Sequence, residues 1–226
     1  MQKVFSKKKV HTFPKMIKGG NVYVSSRLML LALLFLLPAC SWFGSTEPAL
    51  EGTDEEVVYD QLQRRMDWEQ IVSQNQQTPA QSLACRKVVR LAQFRLGQVG
   101  REAIYECLSD SRDVLTSPLA ALMMSDVYMQ LGMVNMAQRA AFESTVKQPY
   151  AKSNMRALRR LTETALITGH YELALKYISL LEEHSAHRKW ARSMRIFAEH
   201  PERMAEEPGF QQLIKAYEET DKQFFL

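Results

Sequence analysis

The sequence predicts an all-α chain built from helical hairpins, and three observations carry that expectation. Aliphatic residues and Met are plentiful, whereas Gly and Pro number only nine and eight in 226 residues, a composition that disfavours sandwiches and barrels. Gly97, Gly132 and Gly169 each follow an apolar-periodic stretch and precede another, in the strings LGQVGREAIYE, LGMVNMAQRAAFE and ITGHYELALKYI. Glycine at a helix C-terminus supplies the left-handed conformation that a tight turn needs. The glycines are 35 and 37 residues apart, and an earlier match, RMDWEQIV, puts Met66 at the turn 31 residues before Gly97, with Trp68 two residues further on.

The N-terminal segment reads differently. Lys3, Lys7, Lys8, Lys9, Lys15, Lys18 and Arg27 precede an apolar run of ten residues, Leu28 to Leu37. Ten residues are too few to span a bilayer, which takes about 20 in a helix. They fit the apolar core of an export signal behind a basic region. Initiation at Met16 is an alternative start that leaves Lys18 and Arg27 as a shorter basic region. The run ends Leu37-Pro38-Ala39-Cys40, which resembles the lipobox of bacterial lipoproteins, with Cys40 receiving the lipid and small Ala39 fitting the peptidase. Residues 1–39 are therefore expected to be a signal peptide and 40–53, rich in Ser, Gly, Thr and Pro, a lipidated tether. Seven of the 29 basic residues and none of the 25 acids precede Cys40, so 22 basic residues face 25 acids from Cys40 onward, a net charge of −3. Such a chain offers no electrostatic footprint for nucleic acid.

Residues 54–226 are expected to form one repeat domain. Periods close to 34 residues indicate tetratricopeptide-like hairpins that stack into an α–α superhelix. In one unit Met124, Tyr128, Gly132, Val134, Ala137 and Pro149 fall at the large, aromatic, turn, packing, small and terminating positions, and in the next Leu161, Ala165, Gly169, Tyr171 and Ala174 do so. Ala137 and Ala174 are small where two helices must approach closely. Such units cannot bury their apolar faces alone, so three or more must stack. In the tail the pattern predicts a helix to about Glu199, breaks at Pro201 and at Pro208-Gly209, and a final helix before the apolar end Phe224-Phe225-Leu226.

From about Leu119 to Ala191 the chain resembles a domain family of unknown function in Bacteroidota membrane proteins. The residues carrying the resemblance are LGMVNMAQRAAFE, KSNMRALRRLTETALITGHYELALKYISLLE and RKWA. Some members carry several transmembrane helices before this domain, whereas this chain has one short signal and a lipid site. It also has Glu182 to His187, EEHSAH, where a more aromatic turn is expected. The resemblance implies a fold and a compartment and no chemistry.

No catalytic constellation stands out, so the chain is read as no enzyme and no cofactor is expected. Its histidines are His11, His170, His184, His187 and His200. Of these, His184 and His187, beside Glu182 and Glu183, match a solvated helix end better than a metal site, which needs further ligands at set spacing. Cys85 and Cys107 flank the Gly97 turn at unequal distances, which suits two small buried side chains better than a disulfide. Met123, Met124, Met129, Met133 and Met136 read as helical core filler rather than an adaptable surface.

The candidate binding residues are Arg156, Arg159 and Glu163, which share a helix face at i, i+3 and i+7. They are either a clamp for a carboxylate or acidic segment in a concave groove, or a salt-bridged face in which Arg159 pairs with Glu163. The expected function is a lipid-anchored protein-interaction scaffold at the cell envelope. The outer membrane's periplasmic face is favoured, with the membrane and an envelope protein as partners. The alternative is a glycan-binding lipoprotein, for which Trp42, Trp68 and Trp190 are few and scattered.

Overall fold

The computed structural model describes residues 49–109, 114–148 and 154–221. The lipidation candidate Cys40, the signal, Trp42, Pro149 and Phe224-Phe225-Leu226 lie outside these residues. Within them the chain is all-helical, without a strand: α1 (Asp54–Arg64), α2 (Trp68–Gln77), α3 (Leu83–Arg95), α4 (Arg101–Ser109), α5 (Pro118–Gln130), α6 (Val134–Lys147), α7 (Met155–Ile167), α8 (Tyr171–Glu182), α9 (Ser185–Glu199) and α10 (Pro208–Ala216). A 3₁₀ turn, Pro201–Glu206, separates α9 from α10, and a last turn, Tyr217–Asp221, follows. No helix among the described residues is long and apolar enough to cross a membrane.

Local chemistry sets the helix ends. Thr53 and Glu56 form a reciprocal capping box on α1. Asp67, Ser117 and Asn154 accept backbone hydrogen bonds at the starts of α2, α5 and α7, and Pro118 opens α5 where its missing N–H costs nothing. Four hairpin turns share one geometry. Met66, Gly97, Gly132 and Gly169 have φ of 55, 70, 79 and 79°. The N–H that follows each of them bonds a carbonyl five residues back: Asp67 to Leu62, Gln98 to Gln93, Met133 to Tyr128 and His170 to Ala165. This is the paired bonding of a Schellman motif, which satisfies carbonyls that the helix end would leave open. Three of the four turns use Gly, and Met66 adopts the same conformation against the preference of a side chain.

Apart from α4 with α5 and α9 with α10, helices pack closely on their sequence neighbours, and the leading helices of the hairpins also meet side by side: α1 with α3 and α5, α3 with α5, α5 with α7, and α7 with α9. α5 is the hub. Leu122, Met123 and Met124 are fully buried and Ala137 and Ala174 have no exposed surface, as their small size at close approaches requires. The methionines act as filler: Met123, Met124 and Met129 are buried, and Met133 and Met136 pack on the same cluster. A buried carboxylate joins three helix starts. Glu56 accepts from Thr53 N (3.0 Å), Ser82 Oγ (3.1 Å) and Ser117 Oγ (2.8 Å).

Two apolar clusters form, one around α1–α6 and one around α7–α9, and Phe210 and Ile214 of α10 pack against both. Phe197 and Phe210 meet with ring centroids 5.2 Å apart. α10 reaches the Gly132 turn, where a Cβ on Gly132 would lie 2.7 Å from the Cβ of Ala216. The sequence breaks at Pro201 and Pro208 are present, but α10 straps the turn of an earlier hairpin. The last residues of the stretch read as a tether are fastened to the domain. Leu119 N donates to Glu51 O (3.1 Å), Glu51 N donates to the Gln148 side chain, and Gly52 lies where a Cβ would meet Leu119 at 2.8 Å.

Candidate functional site

The cavity that gathers the candidate residues lies where α1, α5 and α7 meet and has a volume of about 490 Å³. α7 supplies Arg156, Arg159, Arg160 and Glu163 to its wall, so the structure brings together all three residues singled out from sequence. α1 adds Asp60 and Arg64, and α5 adds Asp126. Leu50, Val57, Leu119 and Met155 give the same wall an apolar part.

The charged residues are not equivalent. Arg156 bridges two helices, with Nη1 2.7 Å from Asp60 Oδ1 and Nη2 2.5 Å from Asp126 Oδ2. Arg160 donates to the other oxygen of Asp126 at 2.6 Å and to Glu163 Oε2 at 2.6 Å. The result is a lattice, Asp60–Arg156–Asp126–Arg160–Glu163, that joins α1, α5 and α7. Asp60 is 8 % exposed and the others 18 to 26 %, so water screens these pairs less than it would a surface pair. Burial raises the Asp60 carboxyl above its ordinary value despite the opposing pull of Arg156. Burial also works to raise Asp126, but Arg156 and Arg160 together outweigh it and hold that carboxyl below the ordinary range. Gln63 Nε2 donates to Met123 O at 3.1 Å and adds a buried bond between α1 and α5.

The i, i+4 pairing of Arg159 with Glu163 does not form. Glu163 takes Arg160, and the Arg159 guanidinium stacks 4.4 Å above the Trp190 ring of α9. The reason is direction. Arg160 turns toward Asp126 on α5 and takes Glu163 with it, while Arg159 turns toward the ring that α9 lays beside α7. Among the described residues neither Arg159 nor Arg64 makes an ion pair, and Arg64 acts on Asp60 only through its charge. The residues missed by the sequence reading are Asp60, Asp126, Arg160 and Arg64. One signal was available: Asp126 is the lone charge in PLAALMMSDVYMQ, and an acid inside an apolar helix must be paired.

Cys85 and Cys107 are both free, so the disulfide alternative does not hold. Cys85 is fully buried on α3, where burial pushes its thiol up to about 12, and Cys107 is half-buried on α4. Lys87 Nζ donates to Cys107 O at 2.6 Å, which satisfies a buried cation. Among the described residues no group of three or more His, Cys, Asp or Glu side chains is placed to hold a metal ion.

Residues 3–226 match a family of unknown function, DUF6057, and the chain belongs to that family. The match extends well beyond the stretch from Leu119 to Ala191 that carries the resemblance in sequence, and it includes the N-terminal segment. No curated protein matches the chain, and no solved structure does.

Proposed function

We propose that this chain is a non-enzymatic scaffold of tetratricopeptide-like repeats, held at the extracytoplasmic side of a bacterial envelope by a lipid on Cys40, and that it binds a protein partner in the groove between α1, α5 and α7. The observation that carries this reading is the groove itself: a preformed cavity with an ionic floor, an apolar part, and two arginines without an ion pair among the described residues. Rigid walls lower the ordering cost of binding. The four turns of shared geometry, spaced near 34 residues, support the repeat assignment. Basic residues, an apolar run and Cys40 at its edge support the anchor, with the outer membrane's periplasmic face as its favoured site.

The glycan-binding alternative has less support. A sugar ring stacks on an open aromatic face, but the Trp190 face carries Arg159, and Trp68 packs against the main core. Two experiments test the proposal. Labelling of cells with an alkyne fatty acid should mark the protein and should fail for Cys40→Ser. A photocrosslinking amino acid at Gln61, on the groove wall, should yield a discrete protein adduct by mass spectrometry. Adducts indistinguishable from those of a photoprobe on the far side of the domain would sink the scaffold reading.

A further inference from the structure

We infer that the groove's occupant is an acidic, extended segment of the partner polypeptide, whose carboxylates are taken by Arg64 and Arg159. This inference rests on the scaffold reading and adds to it the chemistry of the ligand and the residues that touch it.

Charge accounting selects the two arginines. The groove wall carries four guanidinium groups, Arg64, Arg156, Arg159 and Arg160, and three carboxylates, Asp60, Asp126 and Glu163. All three carboxylates are engaged by Arg156 and Arg160 at 2.5 to 2.7 Å. Breaking those contacts to bind a ligand would leave a half-buried acid uncompensated, a large cost. Arg156 and Arg160 therefore form a fixed floor, and their role toward a ligand is positional. Arg64 and Arg159 have no such competitor among the described residues. They give the wall one net positive charge, which a carboxylate neutralises and a basic segment would worsen.

Arg159 is also held in place. Its stack on Trp190, at 4.4 Å, restricts a long side chain that would otherwise lose more rotamer freedom on binding. A guanidinium over an aromatic ring keeps its charge and can still donate N–H groups to a carboxylate. The apolar part of the wall that a ligand can reach, half-buried Leu50 and exposed Val57, suits apolar side chains between the carboxylates of an extended chain, with buried Leu119 and Met155 behind them. An anionic sugar offers no such side chains. The cavity is open to solvent, which suits a segment passing through it better than an engulfed small molecule.

The test uses the full chain in mild detergent micelles and fluorescence anisotropy with labelled decapeptides. The probes alternate Leu with Asp, or Leu with Lys, and are acetylated and amidated so that side chains alone carry charge. The Leu–Asp peptide should bind, weaken as salt rises, and lose about tenfold in affinity with either Arg64→Gln or Arg159→Gln, whereas the Leu–Lys peptide should not bind. Neither substitution removes an ion pair among the described residues, so the far-ultraviolet circular dichroism should stay at the wild-type spectrum; the denaturation midpoint should be unchanged in Arg64→Gln and fall only slightly in Arg159→Gln, which loses the stack on Trp190. Three outcomes overturn the inference: no binding of the Leu–Asp peptide, unchanged affinity in both variants, or equal binding of an oligogalacturonate. If the Gln61 photoprobe still captures a discrete protein while the Leu–Asp peptide fails, the scaffold reading stands and the acidic-segment inference falls. If both fail, both fall.

Discussion

The groove side of the domain and the side where α10 lies are held by opposite chemistry. On the groove side, α1, α5 and α7 are joined by Asp60, Arg156, Asp126, Arg160 and Glu163, charged groups that must all be paired to be tolerated where they are. On the other side, α10 places Phe210 and Ile214 against both apolar clusters and Ala216 against the Gly132 turn. Apolar burial is tolerant of geometry, whereas a lattice of shared carboxylates is not. The groove side thus fixes the mutual placement of three helices, which a binding site needs, and the α10 side supplies adhesion between the clusters.

Breaking the ionic side should have the largest effect. Asp126→Ala removes the carboxylate that Arg156 and Arg160 share, and should cost about 3 kcal/mol in urea denaturation, toward the low end for a buried pair because these groups are partly hydrated. An apolar-side counterpart, Phe210→Ala, should cost about 2 kcal/mol, less than a full core truncation because the ring is only half-buried. A loss much greater for Phe210 than for Asp126 would reverse the comparison.

The turns sharpen it further. Gly132→Ala meets both a left-handed backbone and the Ala216 Cβ, whereas Gly97→Ala meets the backbone alone. The first should cost about 2 kcal/mol and the second about 1, and the difference should vanish when α10 is loosened by Phe210→Ala. Equal costs in the intact domain would mean that α10 does not press on that turn.

The acids predict a pH signature confined to the groove side. Asp60 has its carboxyl raised in the fold, so its contribution is full below the unfolded value of about 3.9 and is lost as pH rises through the raised value. Asp126 is lowered, so its contribution is present above the unfolded value and is lost as pH falls through the folded one. Denaturant midpoints should therefore fall toward acid below the unfolded carboxyl value, through Asp126, and fall again above it as pH rises through the raised Asp60 value. Asp60→Asn should remove the decline on the higher-pH side and leave the acid one; an unaltered profile would speak against a raised Asp60. The smallest effect is a gain. Met66→Gly relieves a side chain at φ 55°, offset by the extra freedom of Gly in the unfolded chain, and should raise stability by roughly 0.5 kcal/mol.

Much of the hairpin plan was legible in the sequence because it is local. Gly97, Gly132 and Gly169 mark turns through backbone conformation, and even Met66 could be placed by its distance from Gly97 and by Trp68. The burial of Met123, Met124, Ala137 and Ala174 follows from apolar period and residue size. The groove was half legible: Arg156, Arg159 and Glu163 do line one wall, but Arg156 takes its partners from α1 and α5, Arg159 takes its ring from the later helix α9, and Glu163 takes Arg160 on its own helix. Helix spacing on α7 makes Arg159 and Glu163 neighbours, and only α5 and α9 decide that Glu163 takes Arg160 while Arg159 takes Trp190.

The sequence alone determined that this chain is helical, where its hairpins turn and which face of α7 carries charge, because each depends on residues within one or two turns of each other. The tertiary structure alone decided which arginines are spent on the fold and which remain open, and that α10 closes over the Gly132 turn. Those outcomes depend on desolvation and on distances between helices remote in the chain, and no local pattern encodes either.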